Sequence, residues 1–126
     1  MLSREFYNVV HLVGVVALMA ALGGVALHAM NGGRGADNHS RRFISILHGT
    51  GAFLILLGGF GMLARIGVSH GANFPPWLWV KVMVWIFLAA APFLPYQRPA
   101  MARWLMLGLP VAGGVAAVMA IYKPWA

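Results

Sequence analysis

The residues of this chain that can do chemistry are five histidines and one lysine set inside an apolar run. The stretch PPWLWVKVMVWIFLAAAPF, residues 75–93, places Lys81 among tryptophan, valine and phenylalanine. Lys81 follows Trp77 by four residues, about 6 Å along a helix that rises ~1.5 Å per residue. Two readings are open. The stem can snorkel to a membrane surface and anchor there beside Trp77, Trp79 and Trp85. Alternatively the ammonium faces neighbouring helices and meets an anion.

His11 bears on the choice, because it stands about five residues into the first apolar run. Arg65 and Met62 stand close to the end of the second run. If adjacent runs are antiparallel, His11, Lys81, Arg65 and Met62 share one layer contributed by three helices. Ionisable groups inside a membrane usually face the bundle interior and mark a site. Histidine with bases and almost no acid suits haem b. His11 would ligate the iron, Met62 is a possible second axial ligand, and Lys81 and Arg65 would neutralise propionates. Glycines would make room for the macrocycle, with Gly14 and the cluster Gly58, Gly59 and Gly61 as candidates. A quinone head or a lipid phosphate suits the same basic layer. A proton relay suits it less, because the only acids, Glu5 and Asp37, lie outside the runs or at their edge.

A second layer holds His28, near the end of the first run, and His48, about five residues into the second. Facing each other they would bind a haem or a metal. The simpler reading of His28 sets it at the headgroups, near Met30 and the polar loop. His39 and His70 fall in loops and are read as solvated. The eight methionines are scattered, as core fillers are. There is no cysteine, which removes disulfides, thiolate nucleophiles and Cys-type metal sites.

The elements that must position these groups are four apolar runs, roughly 6–30, 43–67, 77–95 and 104–122. Each reaches the roughly 20 residues that cross about 30 Å of hydrocarbon. In lipid, backbone groups must be paired internally, so the runs are helices. The connections NGGRGADNHSRR, VSHGANFPP and YQRPAMAR are short. Short connections force antiparallel neighbours, giving an all-α, integral membrane, four-helix up-down-up-down bundle as a single domain over residues 1–126. The bulk numbers agree: 61% of residues are hydrophobic, 9% are charged and the mean hydropathy is +0.81. A soluble domain carries roughly 25% charged residues. The first run is too long for a signal peptide and is read as a retained helix.

The net charge of +7 comes mostly from bases at the ends of the runs, so it reads as topology and not as a nucleic-acid surface. Arg34, Arg41, Arg42, Arg98 and Arg103 lie in or beside loops 31–42 and 96–103. The other side carries Arg4 and Lys123, with Arg65 and Lys81 embedded. The positive-inside rule then makes those loops cytoplasmic and both termini external, in a bacterial inner membrane. Small residues recur at Gly14, Ala17, Ala21 and Gly24, and at Gly108, Ala112, Ala116 and Ala120. Both stripes are read as packing within the bundle. The expected partners are the lipid bilayer and a larger membrane complex or further copies of the chain.

Three stretches carry a family resemblance. YNVVHLVGVV with His11, WLWVKVMVWIFL with Lys81, and RRFISIL opening the second run resemble small polytopic membrane proteins of the HemJ type and the related copper-resistance CopD and SirB2 groups. The resemblance implies a four- or five-helix membrane fold and haem b bound through the early histidine, with the later lysine as its companion. Members of the HemJ type are protoporphyrinogen oxidases. This chain departs from them at GGVALHAM, where they tend to have an arginine, and at AAAPF, where they place a histidine. The resemblance therefore implies haem binding more directly than porphyrinogen oxidation. Two functions follow as expectations. One is a haem- or redox-associated membrane protein centred on His11 and Lys81. The other is a non-catalytic accessory subunit of a larger complex.

Overall fold

The computed structural model describes residues 3–66 and 75–122, and all of its regular structure is helical. The long helices are α1 (Arg4–Met30), α2 (Arg41–Ile66), α3 (Pro76–Ala90) and α5 (Ala102–Tyr122), with a short α4 (Leu94–Gln97) between the last two. Four stretches, Arg4–Met30, Arg41–Ala64, Pro76–Gln97 and Pro99–Tyr122, are long and apolar enough to cross a membrane. The four expected runs are therefore four helical stretches, and the third contains a break.

Local chemistry sets the ends. Ser3 caps α1, its Oγ accepting from the Phe6 N–H at 3.1 Å. At the other end the Gly33 N–H returns to His28 O at 2.9 Å and the Gly32 N–H to Ala29 O at 3.1 Å. That pair of bonds needs Gly32 at φ +82°, a conformation that favours glycine. Pro76 opens α3, where its missing N–H costs nothing. Pro92 closes it into a 3-10 turn over Ala91–Phe93. Pro110, by contrast, lies inside an uninterrupted α5.

The helices α1 and α2 meet backbone to backbone. A Cβ on Gly14 would lie 2.7 Å from Gly51 O and 2.8 Å from Ile55 N. One on Gly51 would lie 2.8 Å from Gly14 O, and one on Gly58 2.5 Å from His11 N. Gly61 takes the ring of Tyr7 against its bare Cα. The sums of paired residue numbers stay nearly constant along this seam, since Tyr7 faces Gly61, Gly14 faces Gly51 and Gly24 faces Ile44. Glycines expected to make room for a ligand are instead filled by the opposing helix.

The main core sits along the second half of α1. Leu18, Leu22 and Ala26 pack with Ala52 and Ile55 of α2, Leu88 of α3, Ala91, and Leu105 and Leu109 of α5. A smaller cluster joins Leu63, Trp77 and Leu78, with Met119 against it. The α5 stripe does not pack as expected. Ala112 packs against the core, but a Cβ on Gly108 would meet nothing within 4 Å and Ala120 is exposed. The buried face of α5 runs through Ala102, Leu105 and Leu109, which turns Gly108 away from it.

Candidate functional site

His11 is half-buried on α1, and its Nδ1 lies 2.8 Å from Ile55 O of α2. A carbonyl can only accept, so Nδ1 carries the proton and Nε2 presents a lone pair. The seam builds this contact. Gly58 lets α2 reach the His11 backbone, and the bare Cα of Gly59 lies beside the ring, where a Cβ would be 3.5 Å from Nδ1. Ile55 follows Gly51 by one turn, so its carbonyl arrives at the imidazole edge.

Lys81 lies on α3. Lys81 is half-buried and engaged in an interaction of its own. His11 on α1 and Lys81 on α3 are both half-buried. Met62 is half-buried beside Gly61, at the Tyr7 level and so about one turn from His11. The side chain of Arg65 lies outside the described residues, as do His70 and Lys123. Among the described residues no group of three or more histidine and carboxylate side chains gathers as a metal site.

The second layer is arranged differently from the expected facing pair. By the register of the seam, His48 is level with Ala20 and Ala21, about 10 Å from His28 at ~1.5 Å per residue. His48 Nε2 donates to Leu88 O at 3.1 Å. Pro92, four residues beyond Leu88, has no N–H to return to that carbonyl. His48 therefore closes the hydrogen bond that the proline opens. Nearby, the Trp85 indole N–H donates to Ala52 O at 3.2 Å, a second tie between α3 and α2.

His28 uses both ring nitrogens. Nδ1 pairs with the Tyr96 hydroxyl at 2.8 Å, and Nε2 with Asp37 Oδ1 at 3.0 Å. Asn38 Nδ2 donates to the same hydroxyl at 3.1 Å, and the Arg34 N–H to the same carboxylate oxygen at 3.0 Å. A neutral imidazole satisfies the whole chain: Asn38 donates to Tyr96, Tyr96 to His28, and His28 to Asp37. No ring nitrogen of His28 is left for a ligand. The Tyr96 and His28 rings also meet edge to face, 5.6 Å apart.

This clasp ties the 31–40 loop to α4, and sequence reasoning passed over Asp37, Asn38 and Tyr96. The signal lay in Asp37, one of only two acids in the chain, placed nine residues after a helix-end histidine. Tyr96→Phe removes the hydroxyl shared by His28 and Asn38. Loss of one net hydrogen bond, about 1 kcal/mol, is expected to lower amide-exchange protection in residues 33–40 about five-fold. Unchanged exchange there would show that the clasp does not hold the loop.

No family model, curated protein or solved structure matches the chain. The site therefore rests on its own geometry. An imidazole with one nitrogen tied to a carbonyl and the other bare is the arrangement in which histidine ligates a metal, because the second bond fixes tautomer and ring direction. The seam between α1 and α2 has no room for a planar group, since their backbones touch at Gly14, Gly51 and Gly58.

Proposed function

We propose that this chain is an integral membrane protein that holds haem b, or another anionic redox group, at His11 with Lys81 as the anion's partner. One observation carries the reading: the His11 Nδ1 contact with Ile55 O at 2.8 Å, which leaves Nε2 bare. The resemblance of YNVVHLVGVV and WLWVKVMVWIFL to the HemJ and CopD types points the same way. When bound, haem supplies one-electron chemistry. The protein's part is to aim the imidazole and to offset propionate charge. Arg65 belongs to the proposal by its place in α2 alone.

Membrane insertion is supported by the exterior. Val16, Phe43, Phe53, Met83, Phe93 and Ile121 are each more than half exposed, and they are spread over every long stretch. Among the described residues no polar or charged side chain is fully buried. A water-facing surface of this kind would aggregate. We place the four spans up-down-up-down in a bacterial inner membrane, with both termini outside and loops 31–42 and 96–103 cytoplasmic.

The test is an absorption spectrum of the detergent-purified chain, oxidised and dithionite-reduced. A Soret band with reduced α and β bands is expected. His11→Ala should abolish it while the chain still inserts into membranes. Lys81→Met should keep the band but weaken haem retention roughly ten-fold or more, as loss of a charge-assisted contact implies. A colourless protein that stays colourless with added haem would overturn the reading.

A second reading is favoured by α5. Gly108 and Gly114 face open space, and Val111, Val115, Val118 and Ile121 are exposed around them. That face suits an accessory subunit packed against another membrane protein or a further copy. The chain would then be colourless alone and co-purify with a defined complex.

A further inference from the structure

We propose that the cavity between the end of α1 and the start of α5 binds the phosphate of an anionic phospholipid through Arg103. The inference rests on the membrane reading above and is independent of the haem reading. The cavity has a volume of about 200 Å³ and is lined by Met30, Pro99, Ala100, Arg103 and Trp104. Met30 is the last residue of α1, Pro99 and Ala100 belong to the 3-10 turn before α5, and Arg103 and Trp104 open α5.

Charge at this end of the molecule is out of balance. Arg34, Arg41, Arg42, Arg98 and Arg103 all lie in or beside the two loops found here. The one acid among them is Asp37, whose Oδ1 already receives His28 Nε2 and the Arg34 N–H. Glu5 sits at the opposite end of α1. Among the described residues no protein group pairs with the Arg103 guanidinium. An arginine that lines a cavity at the edge of an apolar span and has no partner within the chain draws its counter-ion from outside it. Its planar fork matches phosphate oxygens.

The rest of the lining selects lipid over free phosphate. Met30 is 42% exposed and Trp104 62% exposed, so an apolar side chain and an indole flank the cation. Free phosphate gains nothing from either, whereas a phospholipid places its glycerol and acyl chains against them while its phosphate meets Arg103. Basic pockets between spans on the cytoplasmic side are where acidic headgroups bind. A zwitterionic lipid carries its own cation against the phosphate, so the preference is for a net negative headgroup.

The experiment takes the full chain in detergent, stripped of lipid and mixed with equal amounts of dioleoylphosphatidylglycerol and dioleoylphosphatidylcholine. Native mass spectrometry counts the lipid retained. One phosphatidylglycerol per chain should be kept in preference. Arg103→Gln should lower that preference about five-fold, the factor expected for one basic residue at an anionic surface. Ala100→Glu, which sets a carboxylate in the cavity, should do the same. Arg42→Gln, at an exposed arginine outside the cavity, should leave it intact. Equal retention of both lipids by the wild type, or undiminished preference in Arg103→Gln, would overturn the proposal. Complete displacement of phosphatidylglycerol by inorganic phosphate would overturn the lipid assignment in favour of a free-phosphate site. Flotation with phosphatidylcholine vesicles separates the failures: a chain that does not float fails the membrane reading, and one that floats without headgroup preference fails only this inference.

Discussion

Gly58→Leu is expected to force α1 and α2 apart and to cost at least about 3 kcal/mol, the upper end of overpacking. The neighbours of a side chain at this position are backbone: His11 N at 2.5 Å, Tyr7 O at 2.6 Å and His11 Cα at 2.7 Å from a Cβ. No rotamer change relieves such contacts, so a whole helix must shift. Gly58→Ala should already cost about 1–3 kcal/mol for the same reason. Gly49→Ala is the control, because a Cβ there meets nothing within 4 Å. It should stay within about 0.5 kcal/mol of the wild type. Reversible unfolding in mixed micelles, with denaturing detergent as titrant, measures all three. If Gly58→Ala proved as stable as the wild type, the backbone seam would be wrong. The shift should also draw Ile55 O away from His11 Nδ1, so nitrogen NMR of labelled histidine should see the fixed tautomer lost.

The second large effect is a rescue. His48→Ala leaves Leu88 O without a donor, because Pro92 cannot supply one. An unsatisfied acceptor in apolar surroundings costs about 1–3 kcal/mol. Leu88 is only 6% exposed, so water has poor access to that segment. Pro92→Ala restores the missing N–H and lets α3 continue. In that background His48→Ala should cost little, with a coupling of about 1–2 kcal/mol between the two sites. Equal costs of His48→Ala in both backgrounds would separate the histidine from the proline.

Hydropathy was enough to find the four stretches, because length and apolar content alone decide whether a run can span. The turn after α1 was equally open to reading, since NGG supplies the glycine its bonds require. Rotation about each helix axis was not. These helices are apolar on nearly every side, so no polar stripe marks which face turns inward. That is why the α5 stripe read as packed although Gly108 faces outward. It is also why the partner of His48 Nε2, a carbonyl forty residues away, is not legible from the sequence. Pro92 could be seen as a potential kink, but which donor would answer it depends on how α2 and α3 face each other.

The histidine contacts also have an order in time. His11 is made before Ile55, His28 before Tyr96 and His48 before Leu88. On the membrane reading, a chain delivered to the bilayer from its N-terminus has the His48 donor in place when the proline-broken segment enters. Trp85 runs the other way and arrives after Ala52. Ala52 lies within α2, so its carbonyl already has a helical N–H by then and can wait. Assembly during synthesis would therefore never leave the broken segment's carbonyl facing hydrocarbon alone. A permuted chain that makes α3 before α2 would have to carry that exposed group through insertion.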